Sequence, residues 1–288
     1  MPLLSALFVY PVKSCGAISL PHARVEPHGL PWDRHWMVID GNGTFVSQRT
    51  FPAMARIRPQ LTERALVLNV HNTAASLDVP FEASTVRERV GVSVWQDHFM
   101  ARDEGDTAAR WFSQILGASV RLVRFDDDVM RLASKTWTLD ADAPTQFADG
   151  FPLLVTNQAS LDELNARLES KGAQAIPMDR FRPNIVLSGL EAFEEDFIET
   201  LTIGGVVLRI VKPCARCPIT TIDQGHGTRD ARWPNEPLDT LLGWRANPRV
   251  DGGLTFGQNA IIVEGVGGEL QVGAQAGVEF AFADDVPD

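Results

Sequence analysis

The opening stretch of this chain is written as short strands cut apart by turn residues, and this constrains the fold more than any other feature. Leu4–Tyr10, Arg24–Glu26, Trp36–Ile39, Phe45–Ser47 and Ala65–Val70 read as strands, separated by proline, glycine and asparagine. Asp40-Gly41-Asn42-Gly43 is the clearest hairpin signal, because Asn-Gly accepts the positive φ that a primed turn requires. Such punctuation fits a β-barrel or sandwich better than an alternating βαβ pattern.

Helical spacing enters at Asp106–Leu116, with Asp106 placed as N-cap and Gly117 just past the end. A strand follows over Val120–Arg124. The stretch from Asp126-Asp127-Asp128 to Gly150 is polar and irregular, the crossing between two domains, and its acidic run reads as solvated surface. Phe151–Thr156 reads as a buried strand feeding a helix that starts at the capping box Ser160-Leu161-Asp162-Glu163 and ends near Gly172. Strands follow at Asn184–Leu187, Leu201–Ile203 and Val206–Val211, then a short helix around Leu238–Trp244 and closing strands at Ala260–Val263 and Val278–Phe282. The expected class is mainly β with helices (α+β).

Composition bounds what such a chain can do. At 288 residues and 44% hydrophobic it has material for a sizeable core, which excludes disordered and fibrous classes. A net charge of -11 argues against nucleic-acid backbone contact, since that needs a basic stripe to displace counterions. Basic residues should therefore have local duties. No apolar run approaches the ~20 residues that span a bilayer, and the N-terminus lacks the charged region and cleavage site of a leader, so the expected setting is cytoplasmic with no membrane contact. Three cysteines make no disulfide framework, which leaves thiols free.

The chemistry concentrates in Lys212-Pro213-Cys214-Ala215-Arg216-Cys217-Pro218, a Cys-x-x-Cys with an embedded arginine. A thiolate beside a guanidinium suits a soft-metal ligand next to an anion site, because nearby positive charge favours the thiolate. Free cysteine also packs as a small hydrophobe. Structural zinc needs about four Cys or His ligands, and Cys214, Cys217 and His226 supply three. Gly265-Val266-Gly267-Gly268 joins two β-rich segments and opens no helix, so it reads as a turn and not a nucleotide loop. No histidine spacing or serine elbow marks a hydrolytic site. Arg182 and Asn184 stand at i and i+2, on one face if the segment is a strand.

Five segments in order, Tyr10-Pro11-Val12-Lys13-Ser14-Cys15, Asp33-Arg34-His35-Trp36-Met37-Val38, Arg180-Phe181-Arg182-Pro183-Asn184, the cysteine segment and Phe256-Gly257-Gln258-Asn259, carry a family resemblance. The chain resembles MOSC-domain proteins with an N-terminal MOSC barrel, the family of the mitochondrial amidoxime-reducing component and its bacterial relatives. The likeness runs from about Leu3 to about Phe282. It implies an N-terminal barrel over 1–125, a MOSC domain over 126–288, and molybdenum–molybdopterin in the cleft between them. It makes Cys217 the metal ligand, leaving Cys214 to packing or an indirect role. It brings Lys13, Ser14, Arg34, Arg182, Asn184 and Arg216 to the cofactor, with Asn157 and Asn259 as further candidates. Glu191 would relay protons near the metal or serve as a plain surface carboxylate. Ala215 stands where animal relatives have serine, which removes or replaces a hydroxyl contact.

The implied activity is two-electron reduction of a small N-hydroxylated substrate, with electrons from a separate ferredoxin-like, flavin or cytochrome-type reductase, since the chain shows no iron-sulfur, flavin or nicotinamide fingerprint. The alternative is a carrier of molybdenum cofactor or sulfur without turnover. Cofactor sulfurases have such a module, together with a pyridoxal-phosphate domain for which this chain has no room.

Overall fold

The structure is a computed structural model and describes residues 1–82 and 87–281. Strands dominate it, with helices at Asp106–Leu116, Lys135–Thr138, Gln158–Ser170 and Leu238–Leu242. The expected mainly β class holds. Among the described residues the largest sheet has nine strands, in the order Ile18–Leu20, Leu3–Val9, Ile185–Ser188, Leu153–Asn157, Gly253–Glu264, Val206–Ala215, Ile198–Ile203 and Ala276–Phe280, with Ala246–Asn247 pairing Gly253–Glu264. Two smaller sheets form the first-half barrel: Trp36–Ile39, Arg121–Phe125, Asp97–Asp103 and Arg89–Val94 in one, Ile57–Leu61, Ala65–Val70 and Ser76–Pro80 in the other.

A division at residue 125 does not divide these sheets. Leu3–Val9 runs antiparallel to Ile185–Ser188, with Leu3 opposite Ser188 and Leu7 opposite Ile185. His22–Arg24 pairs Glu269–Gln271 at the other end of the chain. The physical reason is burial. Leu4, Leu7 and Val9 share an apolar cluster with Val155, Ile185, Leu208 and Ala260, and a fully buried aliphatic side chain contributes about 1.5–3 kcal/mol. The barrel has its own core, in which Trp36, Leu66 and Leu68 meet Phe112 of the helix Asp106–Leu116.

Local expectations hold where turn chemistry decides them. Gly117 closes Asp106–Leu116 in the left-handed conformation at φ 67°, although the N-cap is Gly105 and not Asp106. Asp40–Gly43 is a hairpin of another kind. Only Gly43 takes positive φ, Gly43 N donates to Asp40 O, and Asp40 N donates to Thr44 O, which describes a type I turn with a glycine bulge. Phe45–Ser47 makes a single bridge to Ile39 in place of a strand. Gly265-Val266-Gly267-Gly268 is the expected turn, between Gly253–Glu264 and Glu269–Gln271. The closing strand is Ala276–Phe280; Phe282 lies outside the described residues.

The acidic run is not simply solvated. Asp126 is fully buried and meets Arg89 at 2.6 Å and Arg102 at 3.0 Å. The helix Gln158–Ser170 begins at Asn157 and not at Ser160, because Asn157 Oδ1 accepts from Ala159 N. Ser160 sits inside the helix, where its hydroxyl donates to Glu195 Oε2 at 2.6 Å and accepts from Phe193 N at 2.8 Å.

Glu195 is fully buried, and burial pushes its carboxyl up to about 7 against the pull of the Ser160 hydrogen bond. A carboxyl in the unfolded chain titrates near ~4.3. Between those values the folded state keeps a proton that the unfolded state has lost, so stability is full below the lower value and declines as pH rises through about 7. In urea titrations at pH 5 and pH 8, Glu195→Gln should lose less stability across the interval than the wild type. An equal loss would show that Glu195 does not set the slope.

Candidate functional site

The site begins where the chain leaves the large sheet for the barrel. Leu3–Val9 ends, Tyr10 N donates to Asp33 Oδ1 at 2.8 Å, and Val12 bridges Trp36 in parallel. Lys13 N then donates to Trp36 O and Cys15 N to Val12 O, closing a turn in which Ser14 takes φ 67°. That turn sinks Lys13 and Ser14 to 5% exposure each. Lys13 Nζ donates to Phe147 O at 2.7 Å and to Asp149 Oδ1 at 2.5 Å. Burial lowers the Lys13 pKa, and the Asp149 carboxylate works in the opposite direction by favouring the ammonium.

Tyr10 organises two arginines. The guanidinium carbons of Arg34 and Arg182 each lie 4.3 Å from its ring centroid, a geometry that attracts cations to the ring. Arg34 Nη1 donates to Asp33 Oδ2 at 2.6 Å and to Asn184 Oδ1 at 3.2 Å, and Arg34 Nη2 to Arg182 O at 3.1 Å. Arg182 Nη1 donates to Cys15 O at 2.7 Å, and burial lowers the Arg182 pKa. The Tyr10 hydroxyl is buried without a partner, and burial raises its pKa. Ser14, Arg34 and Arg182 all take positive φ, at 67°, 49° and 57°. Non-glycine residues held there are strained by about 1–3 kcal/mol and gather at functional sites.

The cysteine segment arrives on Val206–Ala215, opposite Gly253–Glu264. The register shifts between Ile210 and Lys212 and again between Pro213 and Ala215, and such bulges re-aim side chains beside a site. Arg216 N donates to Leu254 O at 2.7 Å, Arg216 Nη2 to Phe181 O at 2.6 Å and Arg216 Nη1 to Cys214 Sγ at 2.8 Å. Cys214 is thus a hydrogen-bond acceptor as well as a packed thiol. Cys217 follows in extended conformation, half-buried and capping the turn Pro218–Thr221. No cluster of three metal-ligating side chains occurs among the described residues, which leaves the zinc alternative without a site.

One cleft gathers Lys13, Ser14, Arg34, Arg182, Asn184 and Arg216, and Cys217 and Asn259 also line it. Arg182 and Asn184 do not meet there by strand periodicity. Arg182 sits in a left-handed turn before the strand Ile185–Ser188, while Asn184 is held by Leu154 N, Phe8 O and Arg34. Asn259 Nδ2 donates to Lys212 O at 3.2 Å.

Asn157 and Glu191 are not brought to the cleft. Asn157 is fully buried, capping its helix through Oδ1 and donating from Nδ2 to Glu191 O at 2.7 Å. Glu191 has an exposed side chain, and only its backbone carbonyl is engaged by Asn157. Two charged cleft residues were not singled out by the sequence, Asp149 and Arg49. Asp149 stands in an Asp-Gly turn signal just before a strand, a placement that could have flagged it; Arg49 carries no local signal at all.

The fold and this cleft define the class as a MOSC-domain protein. The MOSC N-terminal beta barrel domain matches residues 1–119 and the MOSC domain residues 142–276. The chain belongs to the family of MOSC proteins with an N-terminal barrel that includes the mitochondrial amidoxime-reducing components. Mitochondrial amidoxime reducing component 2 of Homo sapiens is 33% identical over 249 residues, covering 84% of this chain and 72% of that protein. Mitochondrial amidoxime-reducing component 1 of Xenopus laevis is 32% identical over 252 residues, covering 84% of this chain and 71% of that protein. Molybdenum cofactor sulfurase of Bos taurus is 30% identical over 243 residues, covering 79% of this chain but 27% of that protein. The YuaD protein of Bacillus subtilis superposes at TM-score 0.43 with 11% identity over 98% of both chains, too loosely to add to the family match. Names that place relatives in mitochondria lend no support to a cytoplasmic setting.

Asn157→Ala should cost about 1–2 kcal/mol of stability, from the lost cap and buried hydrogen bond, whereas Glu191→Gln should cost nothing measurable. Thermal melts of both variants check this. A Glu191→Gln loss as large as that of Asn157→Ala would reverse the assignment.

Proposed function

We propose that this chain is a molybdenum-cofactor-dependent reductase of N-hydroxylated compounds, returning hydroxylamines, amidoximes or N-hydroxylated bases to amines or amidines. The observation that carries this reading is the meeting of the Cys217 thiol with Lys13, Ser14, Arg34, Arg182 and Arg216 in one cleft. That donor set suits molybdenum–molybdopterin. A thiolate is the ligand a soft or thiophilic centre takes, and ammonium, hydroxyl and guanidinium groups suit a phosphate. The family's amidoxime-reducing members support the substrate class.

When bound, the cofactor supplies two-electron chemistry at an N–O bond. The balance is one hydroxylamine, two electrons and two protons in, one amine and one water out. Cys217 is the residue to hold the metal, and the Arg34–Tyr10–Arg182 group, already fixed by Asp33, Asn184 and Cys15 O, orients the anionic part of the cofactor. Asp149 is the one carboxylate among the cleft-lining residues, and it enters as an acceptor engaged by Lys13. The electrons come from a separate ferredoxin-like, flavin or cytochrome-type protein. The likeness to molybdenum cofactor sulfurase supports a second reading, a carrier of cofactor or sulfur without turnover.

Metal and pterin analysis followed by a hydroxylamine assay with a chemical donor separates the two. Stoichiometric molybdenum with turnover supports the reductase, and bound but inert cofactor supports the carrier. Cys217→Ser should abolish turnover while keeping the melting temperature, and Cys214→Ser should be much milder; the reverse order would overturn the ligand assignment. Arg182→Ala should shed pterin on dialysis, since a charge-assisted hydrogen bond is worth ~1.5–3 kcal/mol, or roughly tenfold to a hundredfold in affinity. Full pterin retention would remove Arg182 from the cofactor site. With NADH alone the chain should be inactive, and a reductase or chemical donor should start turnover. Sustained NADH-driven reduction by the chain alone would contradict the need for a partner.

A further inference from the structure

The cleft has a second cationic feature that the cofactor reading leaves unused. Phe45 has two cations near its ring, with Lys13 Nζ 5.0 Å and the Arg49 guanidinium carbon 5.6 Å from its centroid. Beyond it Trp95 meets Phe45 edge-on at 5.1 Å and carries Arg49 at 4.5 Å over its own ring. The sequence Lys13, Phe45, Arg49, Trp95 climbs from 5% exposure at Lys13 to 49% at Trp95, from the floor of the cleft to solvent.

Arg49 differs from the other cations of the cleft in what already occupies it. Lys13 is met by Asp149, Arg34 by Asp33, Arg182 by Cys15 O, and Arg216 by Phe181 O and Cys214 Sγ. Arg49 donates from Nε to Ser47 Oγ at 3.3 Å, and its two terminal nitrogens make no hydrogen bond among the described residues, although its charge helps hold the Asp149 carboxyl below the usual carboxylate range. The fork of its remaining donors matches a carboxylate or phosphate in geometry. Trp95 sits at the first position of the two-residue turn joining Arg89–Val94 to Asp97–Asp103, at φ 56°, where hairpin geometry favours glycine. A large aromatic held in that conformation is strained, and its ring lies against Arg49 and Phe45, two residues that line the cleft.

The geometry points to Arg49 and Trp95 as a substrate-recognition lip that selects N-hydroxylated compounds bearing an oxyanion on a flat ring, the oxyanion paired with Arg49 and the ring against Trp95. This rests on the reductase reading for the N-hydroxyl group, but not for the binding of the anion. Arg49 lines the same cleft as Lys13, and its neighbour Trp95 is 49% exposed, so the lip addresses a molecule arriving from solvent, with the cofactor phosphate assigned to Lys13, Arg34 and Arg182.

The experiment compares benzamidoxime with its 4-carboxylate and 4-phosphate derivatives on the cofactor-loaded chain with a chemical donor. Wild type should favour at least one anionic compound, and Arg49→Ala should reduce that preference roughly tenfold, through KM, as expected for one lost charge-assisted pair. Arg49→Lys should recover part of it. An equal loss for neutral and anionic compounds, or loss of molybdenum and pterin from Arg49→Ala, would overturn the assignment. A direct arm stands apart from turnover: tryptophan fluorescence is titrated with the same three compounds in wild type, Arg49→Ala and Trp95→Phe. An anion-dependent change present in wild type and missing in both variants supports the lip even if no amidoxime is reduced, which would sink the reductase reading alone. A change that survives in Arg49→Ala, or no anion-dependent change in wild type, overturns the lip.

Discussion

The pairing of Arg34 and Arg182 against the Tyr10 ring is the constraint on which the rest of this structure depends. Three distant stretches of chain meet there: the end of the first strand, the loop leading into the barrel, and the turn before Ile185–Ser188. Two guanidinium groups so close repel each other, and Asp33 is the carboxylate that pairs with Arg34. Arg182 has a backbone carbonyl in place of a counter-ion. The ring attracts both cations, yet the cluster keeps surplus positive charge in a buried place. Such a cluster would be neutralised by an anion of the kind the proposed cofactor carries.

Asn184 makes this arrangement rigid. Its backbone bonds Leu154 and Phe8, and its side chain bonds Leu154 N, Phe8 O and Arg34. The large sheet and the arginine cluster are therefore built from the same residue. This explains why the first strand belongs with the second half of the chain. Taking Leu3–Val9 out of that sheet would also release Tyr10, Lys13 and Ser14 from the cleft.

The cysteine segment comes to the same cleft by a different route, along a strand whose register slips three times up to Ala215. Bulged backbone and left-handed residues surround the candidate metal ligand and the candidate anion donors alike. Preorganisation of this kind is what binding a charged cofactor requires, because donors fixed in advance lose little freedom on binding. The protein as a whole carries a net charge of -11, so the cationic interior of the cleft is a local device set against the field of the remaining surface.

Much of this was legible in the sequence wherever the deciding physics is local. Alternation and turn chemistry placed Trp36–Ile39, Ala65–Val70, the end of Asp106–Leu116 and the glycine turn at Gly265–Gly268. The arginine beside two cysteines announced a thiol next to a cation, and both line the cleft. Local signals failed where a partner far along the chain decides. Ser160 and Glu163 spell a capping box, but Ser160 is claimed by Glu195, and Asn157 caps the helix instead. Asp126 looks like surface until Arg89 and Arg102 close over it. Glu191 and Asn157 were separated from the cleft, and Asp149 and Arg49 were brought to it, by sheet pairing and the crossover through Val12 and Trp36. Sequence by itself determined the strands, the turns and the kinds of donor, because backbone preference and side-chain chemistry are properties of short segments. Only tertiary structure decided which donors share one cleft, because that follows from long-range burial and strand register.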